Sequence, residues 1–119
     1  MMKEVFFRLF LNIKDDHRAQ IASKRVVQQL GNGRILKGNR YWKDPNLYEV
    51  EATFPIDLDN PAEQVLRALA MASRLANVWT VSVSDKVSDG HISGICSERF
   101  KFDELAWASF ELQDENAET

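Results

Sequence analysis

Residues 5–13, Val-Phe-Phe-Arg-Leu-Phe-Leu-Asn-Ile, constrain the fold more than any other stretch of the chain. Val5, Phe7, Leu9, Leu11 and Ile13 recur at every second position. In an extended chain all five point to one face, and that face must be buried. The opposite face carries Phe6, Arg8, Phe10 and Asn12 and is half apolar. A strand apolar on one side and partly apolar on the other belongs inside a sheet, not at its edge. The remaining elements are therefore read as packing around this strand.

Local signals delimit those elements. Asp15 or Asp16 can accept a hydrogen bond from the first free amides of a helix, which then runs to about Leu30. Ala19, Ala22, Val26 and Leu30 line one side of it, with Ile21 at the margin. Gly31-Asn32-Gly33 ends the helix, because glycine reaches left-handed backbone angles without a side-chain clash. Residues 34–43 predict a second strand. Its irregular alternation and Gly38 mark an edge strand or a bulge. Asp44-Pro45-Asn46 is a turn. Residues 47–56 predict a third strand, with Tyr48, Val50, Ala52, Phe54 and Ile56 on one face and Glu49, Glu51 and Thr53 on the other. Pro55 lacks an amide hydrogen, so pairing is expected to stop near Phe54.

Asn60-Pro61-Ala62-Glu63 is the clearest helix start: an N-cap, a proline at the first helical position and an acid in the positive first turn. The helix is expected to reach Leu75, with Val65, Leu66, Leu69, Ala70, Ala72 and Ser73 forming its apolar, small-residue face. Residues 78–84 predict a fourth strand, with Trp79, Val81 and Val83 on one face. Ser88-Asp89-Gly90 signals a hairpin into a fifth, at 91–102, bulged around Gly94 to Cys96. Residues 103–112 fit either a short helix capped by Asp103-Glu104 or a sixth strand; the strand is preferred. Residues 1–112 then make one α+β domain, and 113–119 an acidic, disordered tail.

The order strand, helix, strand, strand, helix, strand is the β-α-β-β-α-β pattern of ferredoxin-like domains. It predicts an antiparallel sheet with strands one and three in the middle and two helices on one face. That face carries Val5, Phe7, Leu9, Tyr48, Val50, Trp79 and Val81. The extra C-terminal strand or hairpin is expected to extend the sheet beyond strand four. The other face has no helix and carries Phe6, Phe10, Glu49 and Glu51. An uncovered face with two phenylalanines needs an occupant: the C-terminal segment, a second copy in a homodimer, or a partner.

Composition narrows the functional classes. The net charge is −3 and the pI about 5.4, which disfavours nucleic-acid binding and suits a basic partner. RNA recognition motifs share the predicted topology, but the Lys/Arg-Gly-Phe pattern is missing and Glu49 and Glu51 would repel phosphate. No apolar run is long enough for a membrane span, and Arg8 interrupts the N-terminal one, so a cytoplasmic location is expected. Cys96 is the single cysteine, which leaves no internal disulfide. It has no neighbouring Lys or Arg to lower its pKa and reads as structural, not nucleophilic.

No catalytic, metal or cofactor set stands out. His17 and His91 lie in separate polar turns. Asp57, Asp59 and Glu63 are explained by the helix start they flank, not by a metal. Ser82, Ser84 and Ser88 with Asp85 and Asp89 lack a nucleophile elbow. Gly31-Asn32-Gly33-Arg34 follows a helix and does not open one, so its amides are not aimed at a phosphate. Tyr41, Trp42, Tyr48 and Trp107 form the aromatic set from which interface anchors would be drawn, Trp42 and Trp107 above all.

The closing segments Ile92-Ser93-Gly94-Ile95-Cys96-Ser97 and Leu105-Ala106-Trp107-Ala108-Ser109-Phe110-Glu111-Leu112, with the small size, acidic pI and lack of catalytic motifs, resemble the small immunity proteins of bacterial polymorphic-toxin and contact-dependent growth inhibition systems. The resemblance covers the C-terminal part of the chain. It implies a cytoplasmic, non-enzymatic protein that binds one cognate toxin domain and blocks its active site. The fold argument supplies the binding residues expected for it: Glu49, Glu51, Phe6, Phe10, Trp42 and Trp107. A small-ligand sensor or regulatory domain is the alternative, by analogy of fold.

Overall fold

The computed structural model describes residues 3–83 and 91–115. The elements in chain order are β1 (Lys3–Leu11), α1 (Asp16–Leu30), β2 (Arg34–Arg40), β3 (Tyr48–Ile56), α2 (Pro61–Ala72), β4 (Thr80–Val83), β5 (Ile92–Cys96) and β6 (Leu105–Asp114). The six strands form one sheet in the order β2-β3-β1-β6-β5-β4, and all neighbours are antiparallel.

The chain is thus α+β with a six-stranded antiparallel sheet and two helices, but the strand order departs from the ferredoxin-like one. There β4 would lie beside β1. Here β6 takes that place, and the C-terminal hairpin is inserted between β1 and β4 instead of extending the sheet beyond β4. The two candidate strands explain why. β6 buries Leu105, Ala108, Phe110 and Leu112 and carries Trp107 on its other face, so it suits an interior position. β4 has four residues, all exposed, which suits an edge.

The first strand behaves as its alternation requires. Val5, Phe7, Leu9 and Leu11 are buried and β1 is paired along its length to β3 on one side and β6 on the other. The core lies between this face and the two helices. Phe7 stands edge-on to Phe54, with centroids 5.6 Å apart, and also touches Phe110 at 5.9 Å. Ala19, Ala22, Val26 and Leu30 of α1, and Val65, Ala68, Met71 and Ala72 of α2, close it from above. Leu66, expected on the inner face of α2, is exposed.

Caps and turns follow the residues that signalled them. Asp15 caps α1 by accepting from His17 N at 3.0 Å, and Asn60 caps α2 by accepting from Ala62 N and Glu63 N. α1 ends on Gly31 at φ 146°, where a β-carbon would be strained. Gly33 serves a different need: a β-carbon there would stand 2.2 Å from the Phe54 ring. α2 ends at Ala72, before the expected Leu75. Trp79 folds back on this end: its Nε1 donates to Ala72 O, the last carbonyl of α2, at 3.0 Å, and to Ala76 O, beyond the helix, at 3.1 Å.

Two bulges explain the irregular alternations. In β2 the register shifts between Ile35 and Lys37, leaving Leu36 unpaired, so Ile35 and Gly38 share the core side and Lys37 turns to the open side. In β6 the shift opposite Phe10 and Leu11 leaves Ala106 unpaired, which lets Leu105 and Ala108 both face the core. The bulge expected near Gly94 to Cys96 is not there: β5 pairs regularly with both neighbours and ends at Cys96. Pairing of β3 continues past Pro55 to Ile56, because β2 has already ended opposite Thr53 and no ladder bond from Pro55 is needed on that side. β6 reaches Asp114, which is ion-paired with Lys3 at 2.7 Å, so the start of the expected tail is strand. The Ser88-Asp89-Gly90 turn, with Ser84 and Asp85, lies outside the described residues, as do 116–119.

Because Leu9 is fully buried between β3, β6 and the helices, Leu9→Ala should destabilise the protein by about 2–5 kcal/mol. Urea unfolding measures this, and a loss under about 1 kcal/mol would mean that β1 is peripheral.

Candidate functional site

The sheet face away from the helices gathers Phe6, Phe10, Glu49, Glu51 and Trp107, the strand residues expected to bind a partner. β1 supplies Phe6, Arg8 and Phe10. β3 supplies Glu49 and Glu51, and β6 supplies Trp107, Ser109 and Glu111. Register explains the gathering: Phe10 lies opposite Glu49 on one side and Trp107 on the other, and Arg8 lies between Glu51 and Ser109.

Glu49 is the electrostatic centre of this face. Its side chain is only 2% exposed, and it accepts from Arg8 Nε at 2.7 Å and from Lys37 Nζ at 2.9 Å. Burial alone would push its carboxyl pKa up. The hydrogen bonds and charges of Lys37 and Arg8 outweigh that and hold it below the usual glutamate range. The same bond raises the Lys37 pKa. Glu49 was expected as an exposed acid for a partner. It is instead a buried anion bound to two cations, and it fixes where they stand. Glu51 keeps a looser contact, 4.0 Å from Arg8, and is a quarter exposed.

The aromatic residues form a ladder across the same face and into the β2–β3 loop. Trp107 packs on Phe10 at 5.4 Å, Phe10 on Tyr41 at 4.6 Å, and Tyr41 on Trp42 at 6.3 Å. The Arg8 guanidinium lies 5.1 Å over Phe10 and 5.9 Å over Tyr41. These contacts bury Phe10 to 6% exposure, so it is a support within the ladder and not an exposed patch. Trp42, at the end, is 78% exposed, with Lys43 Nζ 5.0 Å over its ring. Tyr48, grouped with them by composition, is buried on the core side.

Phe6 is half-buried and lines a separate feature. An open depression of about 540 Å³ lies over β1, β6, β5 and β4, bounded by Phe6, Arg8, Trp107, Ile95, Ser82 and Glu111 among others. Ile95 at its rim is half exposed.

The remaining candidates are placed elsewhere. Cys96 is buried and its thiol donates to Glu98 O at 3.1 Å. His17, in the first turn of α1, and His91, just before β5, are both exposed. Among the described residues, no three His, Cys, Asp or Glu side chains come together as a metal site, and no helix is long and apolar enough to cross a membrane. Arg40, which a sequence reading passes over, donates to Ile13 O at 2.6 Å and Lys14 O at 2.8 Å and pairs with Asp16, which ties β2 to the start of α1.

Arg8 and Lys37 are members of the site that the sequence did not nominate, while Tyr41, named there only within the aromatic set, is a rung of the ladder. Arg8 is legible from its alternation with Phe6 and Phe10. Lys37 is not, because it reaches this face only through the bulge at Leu36. No protein-family model, curated protein or solved structure matches the chain.

Glu49→Gln keeps the shape of the side chain and removes its charge. It should cost about 1–3 kcal/mol at neutral pH. Because the folded pKa of Glu49 is depressed, this contribution is present in full above the unfolded value and is lost as pH falls through the folded one. Stability curves of the two proteins should therefore converge in acid. A gap that stays constant with pH would show that the charge of Glu49 contributes nothing. At the alkaline end the raised pKa of Lys37 keeps its part until pH passes the folded value, above 10.5.

Proposed function

We propose that this chain is a non-enzymatic binding protein that docks a basic protein partner on the open sheet face, and that it is an immunity protein neutralising a cognate toxin domain. The observation that carries the docking reading is Trp42, 78% exposed at the end of a supported aromatic ladder. Tryptophan, tyrosine and arginine are the side chains that dominate binding energy at protein interfaces. Here Trp42, Tyr41, Trp107 and Arg8 stand together, each held by a neighbour, so little side-chain freedom is left to lose on binding.

Charge supports a basic partner, through fewer acids than the sequence suggested. Glu49 is occupied by Arg8 and Lys37, so the acids left to meet a cation are Glu51 and the exposed Glu111, backed by the net charge of −3. The toxin as partner, and the cytoplasm as the place of meeting, rest on the resemblance of the closing segments to immunity proteins. The ferredoxin-like relation is kept here only as a looser one: β1-α1-β2 and β3-α2-β4 each cross over in the manner of that fold, with a hairpin added inside the sheet.

A small-ligand sensor is the second reading, favoured by the depression of about 540 Å³, which is within the size range of small-molecule sites. A rise in melting temperature with a metabolite panel, and none with the toxin domain, would select it.

The first reading is tested by kinetic binding to a basic toxin domain, to be sought in the gene upstream of this one, at two salt concentrations. Trp42→Ala should shorten the lifetime of the complex by roughly 30-fold, as for an interface anchor. Glu51→Gln with Glu111→Gln should slow association and flatten its salt dependence. If neither change alters the kinetics, the open face is not the docking surface.

A further inference from the structure

The two edges of the sheet are built differently. β2, at one end, carries Arg34, Lys37 and Arg40 and is bulged at Leu36, features that discourage another strand from adding to it. β4, at the other end, reads Thr80-Val81-Ser82-Val83, with no charge, no proline and a regular register with β5. All four residues are exposed, Val81 by 40% and Val83 by 50%. β-Branched residues in an edge strand free of charge and proline favour the addition of a strand.

We infer that β4 is a homodimer edge, at which the β4 strands of two copies pair antiparallel into one continuous twelve-stranded sheet. The occupant is a second copy because the strand is complementary to itself. A two-fold axis through Ser82, perpendicular to the sheet, sets Val81 opposite the partner's Val83 and Ser82 opposite the partner's Ser82. Apolar side chains then meet on the helix side and hydroxyls on the open side, and no like charges face each other. The strand order places β4 at the far end of the sheet from β2, so this pairing leaves Trp42 and the loop that carries it uncovered. The depression over β4, β5, β6 and β1 reaches the same edge, so the dimer brings two of them side by side across the axis. This pairing does not rest on the identity of any toxin.

Sedimentation velocity of the full chain over a concentration series tests it. The unmodified protein should pass from monomer to dimer as concentration rises. V81K/V83K places lysines opposite lysines and should raise the dissociation constant by about tenfold or more. An equal mixture of V81K/V83K with V81E/V83E should restore the dimer. The near-ultraviolet circular dichroism of each variant checks that the monomer stays folded, as exposed substitutions normally allow. A monomer up to on the order of 1 mM would overturn the inference. So would a dimer that V81K/V83K leaves intact.

Discussion

β1 has to be buried on its inner face and paired on both edges, and the rest of the molecule is arranged to satisfy it. Its inner side chains need a helix layer, which α1 and α2 supply. Its edges need two antiparallel neighbours, which β3 and β6 supply along nearly its full length. That second requirement decides the strand order. Of the strands that follow α2, β6 has enough apolar side chains on its core face to lie beside β1, while the short, exposed β4 is left at the edge. The ordering of the sheet is thus a consequence of burial: the most apolar strands sit innermost and the most polar outermost.

The outer face of β1 meets a different constraint. Arg8, between two phenylalanines, must keep its charge solvated or paired. Glu49 pairs it, and Lys37 completes the set from the next strand but one. Taking a carboxylate out of water is costly unless cations and hydrogen bonds replace the lost hydration, and here both cations remain more than a third exposed, which lowers that cost. The fixed guanidinium in turn lies over Phe10 and Tyr41 and holds the ladder on which Trp42 stands. A buried ion pair and an exposed tryptophan are therefore parts of one arrangement. One sets the shape of the face and the other presents an apolar surface from it.

Much of the fold is legible in the sequence because its signals are local. Asp15, Asn60 and Pro61 start the helices where expected, Gly31 ends the first, and period-two alternation places Val5 to Leu11 and Tyr48 to Ile56. The strand order is not legible in the same way, since it depends on a comparison between β4 and β6 across some twenty residues of chain and on long-range pairing that alternation does not encode. The site follows the same division. Alternation puts Phe6, Phe10, Glu49 and Glu51 on one face, as they are. It says nothing of the bulge that turns Lys37 toward Glu49, and so an acid that looks available in the sequence is a neutralised one in the structure. Trp107 joins Phe10 only because β6, and not β4, lies beside β1.

The central claim, that the open face is the working surface and the helix face the structural one, is tested most directly by oxidative footprinting of the tryptophans in the free protein and in complex with the basic partner proposed above. Trp42 and Trp107 lie on the ladder, while Trp79 lies on the core side against Phe110 and the end of α2, so each protein carries its own control. The account predicts that complex formation protects Trp42 strongly and Trp107 measurably, with Trp79 unchanged. Protection of Trp79 and of α1 or α2, with Trp42 as reactive as in the free protein, would contradict it.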